Sequence, residues 1–330
     1  MTAQDSATRP AAIAPRAVTA PAPSTAPAAT AAPAAPAATA APAGSGFGSG
    51  TLLAALGVLS FSFSFPATAW ALTGFGPWTS TGLRGALAGL LAAGCLAAAR
   101  VPVPARRHWP GLLVVAAGCV LGFPLLTTLA LRASSTAHSA VVIGVLPLAT
   151  AVFAAVRTGR RPSRAFWGAA VAGAAAVLTF TLVQSHGRPT VADLCLFAAL
   201  LVCAAGYAEG GRLSRELPGW QVIGWAAVAS LPVTVLTTAV ALPAEPVHLG
   251  AKALAGLAYT AVVSQFCGFV LWYRGMAAIG VPRASQLQLA QPLLTLVWSV
   301  LLLGEDLPAA APLTAGAVLV CIAVTQRARV

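Results

Sequence analysis

Charge is scarce in this sequence. Only 8% of its 330 residues are charged, whereas a water-soluble domain usually carries about a quarter. So few charges exclude an ordinary water-facing surface and leave an exterior that faces hydrocarbon. Acidic residues are scarcest, 7 Asp and Glu against 19 Lys and Arg. No acidic pair falls within an apolar run, and there is no HExxH and no Ser/His/Asp grouping. An intramembrane enzyme such as an acyl or lipid-phosphate transferase, which needs a nucleophile, a metal cluster or a paired acid and base at depth, therefore lacks its parts. The chain does not read as an enzyme. There is no Walker A motif, which excludes an ATP-driven pump unless another subunit supplies the motor. The six cysteines form no CxxC and no Cys/His ligand spacing. They read as small packing residues, with no disulfide framework, metal site or cofactor expected.

The net charge of +12 would raise the question of nucleic acid in a soluble protein. Here the basic residues stand in short clusters between apolar runs, without the interleaved aromatics of a nucleic-acid surface, so no nucleic-acid partner is expected. Lys252 is the lone lysine. The Ala, Gly and Arg richness fits GC-rich bacterial coding.

What is present is hydrophobic, 58% of the chain. Residues 1–46 are Ala, Pro and Thr with no spanning block, and are expected to be a disordered cytoplasmic tail. From Thr51 onward, runs long enough to cross about 30 Å of hydrocarbon recur with short connectors. They predict ten transmembrane helices near 51–72, 80–99, 111–131, 137–156, 165–183, 191–211, 221–241, 251–272, 284–303 and 309–325. Segments such as Leu112 to Val120 are apolar on every side, which excludes the alternation of a transmembrane barrel.

Lys and Arg in alternate connectors fix the orientation. With the N-terminus inside, the inner connectors and termini hold fifteen (9, 16, 100, 106, 107, 157, 160, 161, 164, 212, 215, 274, 283, 327 and 329). The outer ones hold three, Arg132, Arg188 and Lys252, and Arg84 falls within a span. Both termini are therefore expected in the cytoplasm of a multi-pass cell-membrane protein.

The chain also repeats itself. A shift of 145 residues lays Leu146-Pro-Leu-Ala-Thr150 on Gln291-Pro-Leu-Leu-Thr295, Gly159 on Gly304, and Arg160 and Arg161 on Glu305 and Asp306. Each unit, 51–185 and 190–327, would hold five helices, so the second must enter the membrane inverted. The fold class expected is thus all-α integral membrane, ten transmembrane helices as two inverted five-helix repeats. That architecture belongs to secondary transporters, whose substrate sits near the midplane between repeats.

Several stretches resemble the EamA-type branch of the drug/metabolite transporter superfamily. They are the proline-bearing first span (Phe61 to Ala71), Gly-Leu-Arg-Gly at 82–85, and the segment Gly280 to Leu307 with Gly-Val-Pro-Arg-Ala, Gln-Pro-Leu-Leu-Thr and Leu-Leu-Gly-Glu-Asp-Leu. One departure is Gly159-Arg160 where the family pattern has Gly-Glu. The resemblance covers 51–327 and implies ion-coupled or facilitative movement, often export, of small metabolites such as amino acids or toxic compounds. Its partners would be a small-molecule substrate and the lipid bilayer; a homodimer is compatible with it.

Polar groups in hydrocarbon should face the bundle interior or a wet cavity. Ser285, Gln288, Pro292, Thr295 and Ser299 share one helix face of span nine, with Gln291 beside them. Pro292 frees a backbone carbonyl. These groups read as substrate contacts or as interhelical hydrogen-bond glue. Ser64 and Trp70 belong to a stripe of small groups in span one, and Gln265 stands in the middle of span eight. Arg84 either snorkels to the interface or points inward to attract an anionic group. Glu209, the one acid well inside an apolar run, is the proton-coupling candidate, or pairs with Arg212. His138 reads as interfacial. The central cavity is expected among spans one, three, four, six, eight and nine. The competing class is a non-transport membrane protein, such as a lipid-modifying enzyme or a sensor.

Overall fold

A computed structural model describes residues 48–158, 163–184, 186–279, 287–288 and 290–327. The tail 1–46 lies outside them, as do Gly159, Arg160, Arg161 and Ser285. Among the described residues there is no β-strand, only one isolated bridge between Phe75 and Val247. Helix is the open-chain form that bonds its own backbone groups when no water is there to do it.

Eight helices are long and apolar enough to cross a membrane: α1 (Ser49–Ala71), α2 (Pro77–Ala98), α3 (Arg106–Leu131), α4 (Thr136–Phe153), α5 (Arg164–Gln184), α6 (Val191–Leu213), α7 (Gly219–Ala241) and α8 (Ala251–Gly275). Two shorter apolar helices follow, α9 (Ala290–Leu303) and α10 (Ala310–Arg327). The chain is a multi-pass membrane protein.

Helix starts follow local chemistry. Pro77 opens α2, where its missing N–H is no loss. Ser135 caps α4 by accepting from His138 N–H, and Thr190 with Asp193 forms a capping box on α6. Asp193 also meets His138 Nε2 at 2.7 Å, and the His138 ring stacks on Phe180, which ties α4, α5 and α6 together at that end.

Close packing rests on small residues. Gly82, Gly85 and Gly89 of α2 lie on Leu231, Thr234 and Thr238 of α7, and a Cβ at Gly82 would stand 2.9 Å from the backbone N of Thr238. Gly275 of α8 lies against the backbone of Ala54 in α1. Without a hydrophobic drive between helices in lipid, such approach supplies the dispersion contact that holds them.

Two features depart from plain α-helix. Ala116–Gly122 in α3 and Tyr259–Cys267 in α8 are π-helical. A shift of 145 residues carries the first onto 261–267. In addition, α1 breaks stride at Phe63, between the segments Ser49–Ser62 and Ser64–Ala71.

Carboxylates join one end of the bundle. Glu245, after α7, accepts from the N–H groups of Trp78 and Thr79 at the start of α2 (3.3 and 2.8 Å). Glu305, after α9, accepts from Thr136 and Ala137 at the start of α4 (2.8 and 2.9 Å). At the opposite end Glu216 meets His108 at 3.0 Å and Arg107 at 3.7 Å. Here the hydrogen bond from His108 is the main cause that holds the Glu216 carboxyl below its ordinary range.

Candidate functional site

Proline chemistry prepares the site. Pro66 has no N–H for the carbonyl of Ser62 four residues back, and that carbonyl instead accepts the Thr295 hydroxyl of α9 at 2.8 Å. Trp298 Nε1 donates to Ser62 Oγ at 3.0 Å, a second link between α1 and α9. In α3 the π-helical register sends Phe123 N–H to Gly118 O, so the next donor, for Cys119 O, would be Pro124. Pro124 has none. Gln265 Nε2 from the π-helical part of α8 takes the place, 3.2 Å from Cys119 O.

From Gln265 a polar network crosses four helices. Arg84 Nε donates to Gln265 Oε1 at 3.0 Å, and Arg84 Nη2 to Ser264 Oγ at 3.4 Å. The Ser264 and Ser64 hydroxyls are 2.6 Å apart. Arg84 is 8% exposed and Gln265 1%. The guanidinium thus turns into the bundle rather than snorkelling outward.

A cavity opens beside this network. Its walls come from α1 (Phe61, Ser64, Phe65), α2 (Arg84), α3 (Cys119, Phe123), α4 (Leu146), α6 (Cys203, Tyr207), α8 (Ser264, Gln265, Phe269) and α9 (Gln291, Thr295). The cavity volume is about 40 Å³, within about 530 Å³ of non-atom space that runs out to open solvent. An adjoining cavity shares Phe65, Leu146, Gln291 and Thr295, and is completed by Ala140, Ile143, Gly144, Pro147, Gln288 and Pro292. Pro147 and Pro292, which the 145-residue shift superposes, face the same space.

Of the residues singled out from the sequence, Gln265, Gln291, Thr295, Ser64 and Arg84 meet in the first cavity, and Gln288 and Pro292 in the second. Trp70 stands apart from both: its ring packs edge-on against Phe63, with Lys252 Nζ 5.8 Å from its centroid. Glu209 lines neither cavity. It is bonded to Arg212 at 2.7 Å one turn later. Ser299, buried and bonded to Leu296 O, also lines neither. The aromatic wall, Phe61, Phe65, Phe123, Tyr207 and Phe269, was not singled out, since an aromatic in an apolar run carries no mark that tells cavity from core. Cys119 and Cys203, read as packing residues, belong to the wall as well.

The model of the EamA-like transporter family matches residues 48–182 and again 190–326. The chain belongs to the EamA-like transporter family. It is 44% identical over 279 residues to the "Uncharacterized transporter YdeK" of Bacillus subtilis (strain 168), an alignment that takes in 84% of this chain and 97% of that protein. A crystal structure of a protein 20% identical to it aligns with a TM-score of 0.62 over 86% of this chain and 99% of that one. At that identity the likeness concerns the fold alone. Family and relative together make this EamA-like chain a membrane transporter, a class that is generally not enzymatic.

Proposed function

We propose that this protein is a secondary transporter that exports small metabolites, amino-acid-like or drug-like, across the cytoplasmic membrane by alternating access. The cavity at the Arg84–Gln265 network is its substrate site. The observation that carries the reading is the convergence of polar groups from α1, α2, α8 and α9 on one apolar-walled space inside the bundle. Buried polar groups at membrane depth mark substrate paths, because hydrocarbon penalises them without giving anything back. Substrate pockets usually enclose about 300–1,000 Å³, so this small cavity has to widen before a metabolite enters. Widening on one side and then the other is alternating access.

In this reading the ten helices are ten spans in two inverted repeats, 51–185 and 190–327, behind a cytoplasmic tail, 1–46. The Glu216 end and both termini face the cytoplasm. Support comes from the fifteen-to-three charge asymmetry, from the two π-helical stretches at equivalent positions of α3 and α8, and from Pro147 and Pro292 on one cavity. Gln265, Gln288, Gln291, Pro292, Thr295, Ser64 and Arg84 are the substrate contacts. Glu209 remains the candidate for proton coupling through its bond with Arg212. Trp70 holds the turn at Phe63 and reaches substrate only if α1 moves.

A metabolite uptake and efflux panel on cells with and without the protein, at two external pH values, tests the function. A solute whose efflux depends on the protein is expected, and a flat panel contradicts it. Reporter fusions after residues 188 and 330 test the topology. An outward C-terminus would break both the span count and the inverted repeat.

A further inference from the structure

Among the described residues, no acidic side chain is bonded to Arg84. A guanidinium does not deprotonate in a protein, and a buried charge without a counter-charge is costly. The whole chain has 7 acidic residues, and six have places elsewhere. Asp193 meets His138 and Thr190, Glu209 meets Arg212, and Glu216 meets His108 and Arg107. Glu245 and Glu305 sit on backbone N–H groups, and Asp306 is exposed. Asp5 belongs to the tail, outside the described residues. Among the described residues, the side chains bonded to Arg84 are therefore the neutral Gln265 and Ser264. Two of the five N–H groups are used, and Arg84 is one of the residues that line the cavity. Phe61, Phe65, Phe123 and Phe269 line the same cavity.

We propose that the substrate is an organic anion, with a carboxylate on the guanidinium of Arg84 and an apolar, preferably aromatic, body against the phenylalanine wall. This rests on the reading of the cavity as the substrate site. A carboxylate supplies the absent charge and matches the planar fork of the guanidinium. A bare amine, without a carboxylate of its own, would meet no carboxylate here and would face a cation instead. A bare inorganic anion would leave the aromatic wall without a partner.

The test uses the purified full-length protein with phenylacetate, its neutral isostere phenylacetamide, the cation phenethylamine, and chloride alone. Phenylacetate is expected to raise the melting temperature of the wild type at concentrations where the other three do not. Its Kd is expected to rise about tenfold or more in Arg84→Gln. Gln265→Glu keeps the shape of the side chain and sets a carboxylate where the amide oxygen now lies, 3.0 Å from Arg84 Nε. It supplies the missing charge from within, at the loss of the Nε2 bond to Cys119 O, so it should abolish the response to phenylacetate. That variant decides the matter even if Arg84→Gln does not fold. An equal shift from the amide or the amine, a shift reproduced by chloride, no shift from any probe, or an undiminished response in Gln265→Glu overturns the assignment. Uptake into proteoliposomes separates the two readings. Saturable uptake of the amine or the amide but not the acid removes the anion site and leaves the transporter, whereas phenylacetate binding without its uptake removes the transport reading and leaves the anion site.

Discussion

The carboxylate of Glu305 accepts the backbone N–H of Thr136 at 2.8 Å, although 169 residues separate them. Gly304, at φ +66°, makes this possible: it ends α9 in the left-handed conformation, with Glu305 N–H returning to Ser299 O, and so turns the next side chain toward the start of α4. Glu245 does the same for α2. Each carboxylate answers the positive end of a helix that stands far away in sequence.

Glu305→Gln keeps one acceptor but loses the charge and the second bond. We expect it to lower stability by about 1 kcal/mol, read as the melting temperature of the detergent-solubilised protein. Glu245→Gln should act alike. Unchanged melting in both variants would mean that these contacts do not hold that end closed.

How far the sequence anticipated these contacts depended on their range. The helices followed from apolar runs, and the Glu209–Arg212 pair from spacing on one helix. Gln265 stood out as a lone amide in an apolar span. The carboxylate latches did not, because a cap between residues 169 apart leaves no local pattern. The π-helical stretches were equally silent, since no residue type demands the extra residue per turn. Their consequence, a Cys119 carbonyl stranded by Pro124, needs both the register shift and the proline. Arg84 was open between snorkelling and facing inward, because sequence gives depth along a helix more readily than which neighbour it faces.

Close approach of α2 and α7 gives a second prediction. At Gly82 a methyl group meets Thr238 Oγ1 and, beside it, the backbone N of Thr238 at 2.9 Å, which cannot swing away, so Gly82→Ala should destabilise by about 1–3 kcal/mol. Gly94 lies on the same helix with nothing within 4 Å of a Cβ built there. Gly94→Ala should leave the melting temperature at or above that of the wild type. Equal losses in both would contradict a packing origin at Gly82.

A third concerns acid. The Glu216 carboxyl is held below its ordinary range, chiefly by the hydrogen bond from His108. A carboxylate with a depressed folded value contributes stability that is present above its unfolded pKa and lost as pH falls through the folded one. The difference in melting temperature between wild type and Glu216→Gln should therefore be constant near neutrality and close on acidification. A difference that widens as pH falls would contradict the pairing.

The central claim is that the Arg84–Gln265 cavity binds what the protein moves. Gln265→Leu makes α8 more apolar, so it should still insert, but it strips Arg84 of its amide partner and leaves Cys119 O unpaired. A loss of about 1–3 kcal/mol follows where such a buried partner is removed. The decisive measurement is substrate affinity in the folded fraction of Gln265→Leu, beside its membrane abundance and melting temperature. Normal abundance with affinity lowered about tenfold or more is expected. Lowered melting temperature with unchanged affinity would make Gln265 helix glue and contradict the account.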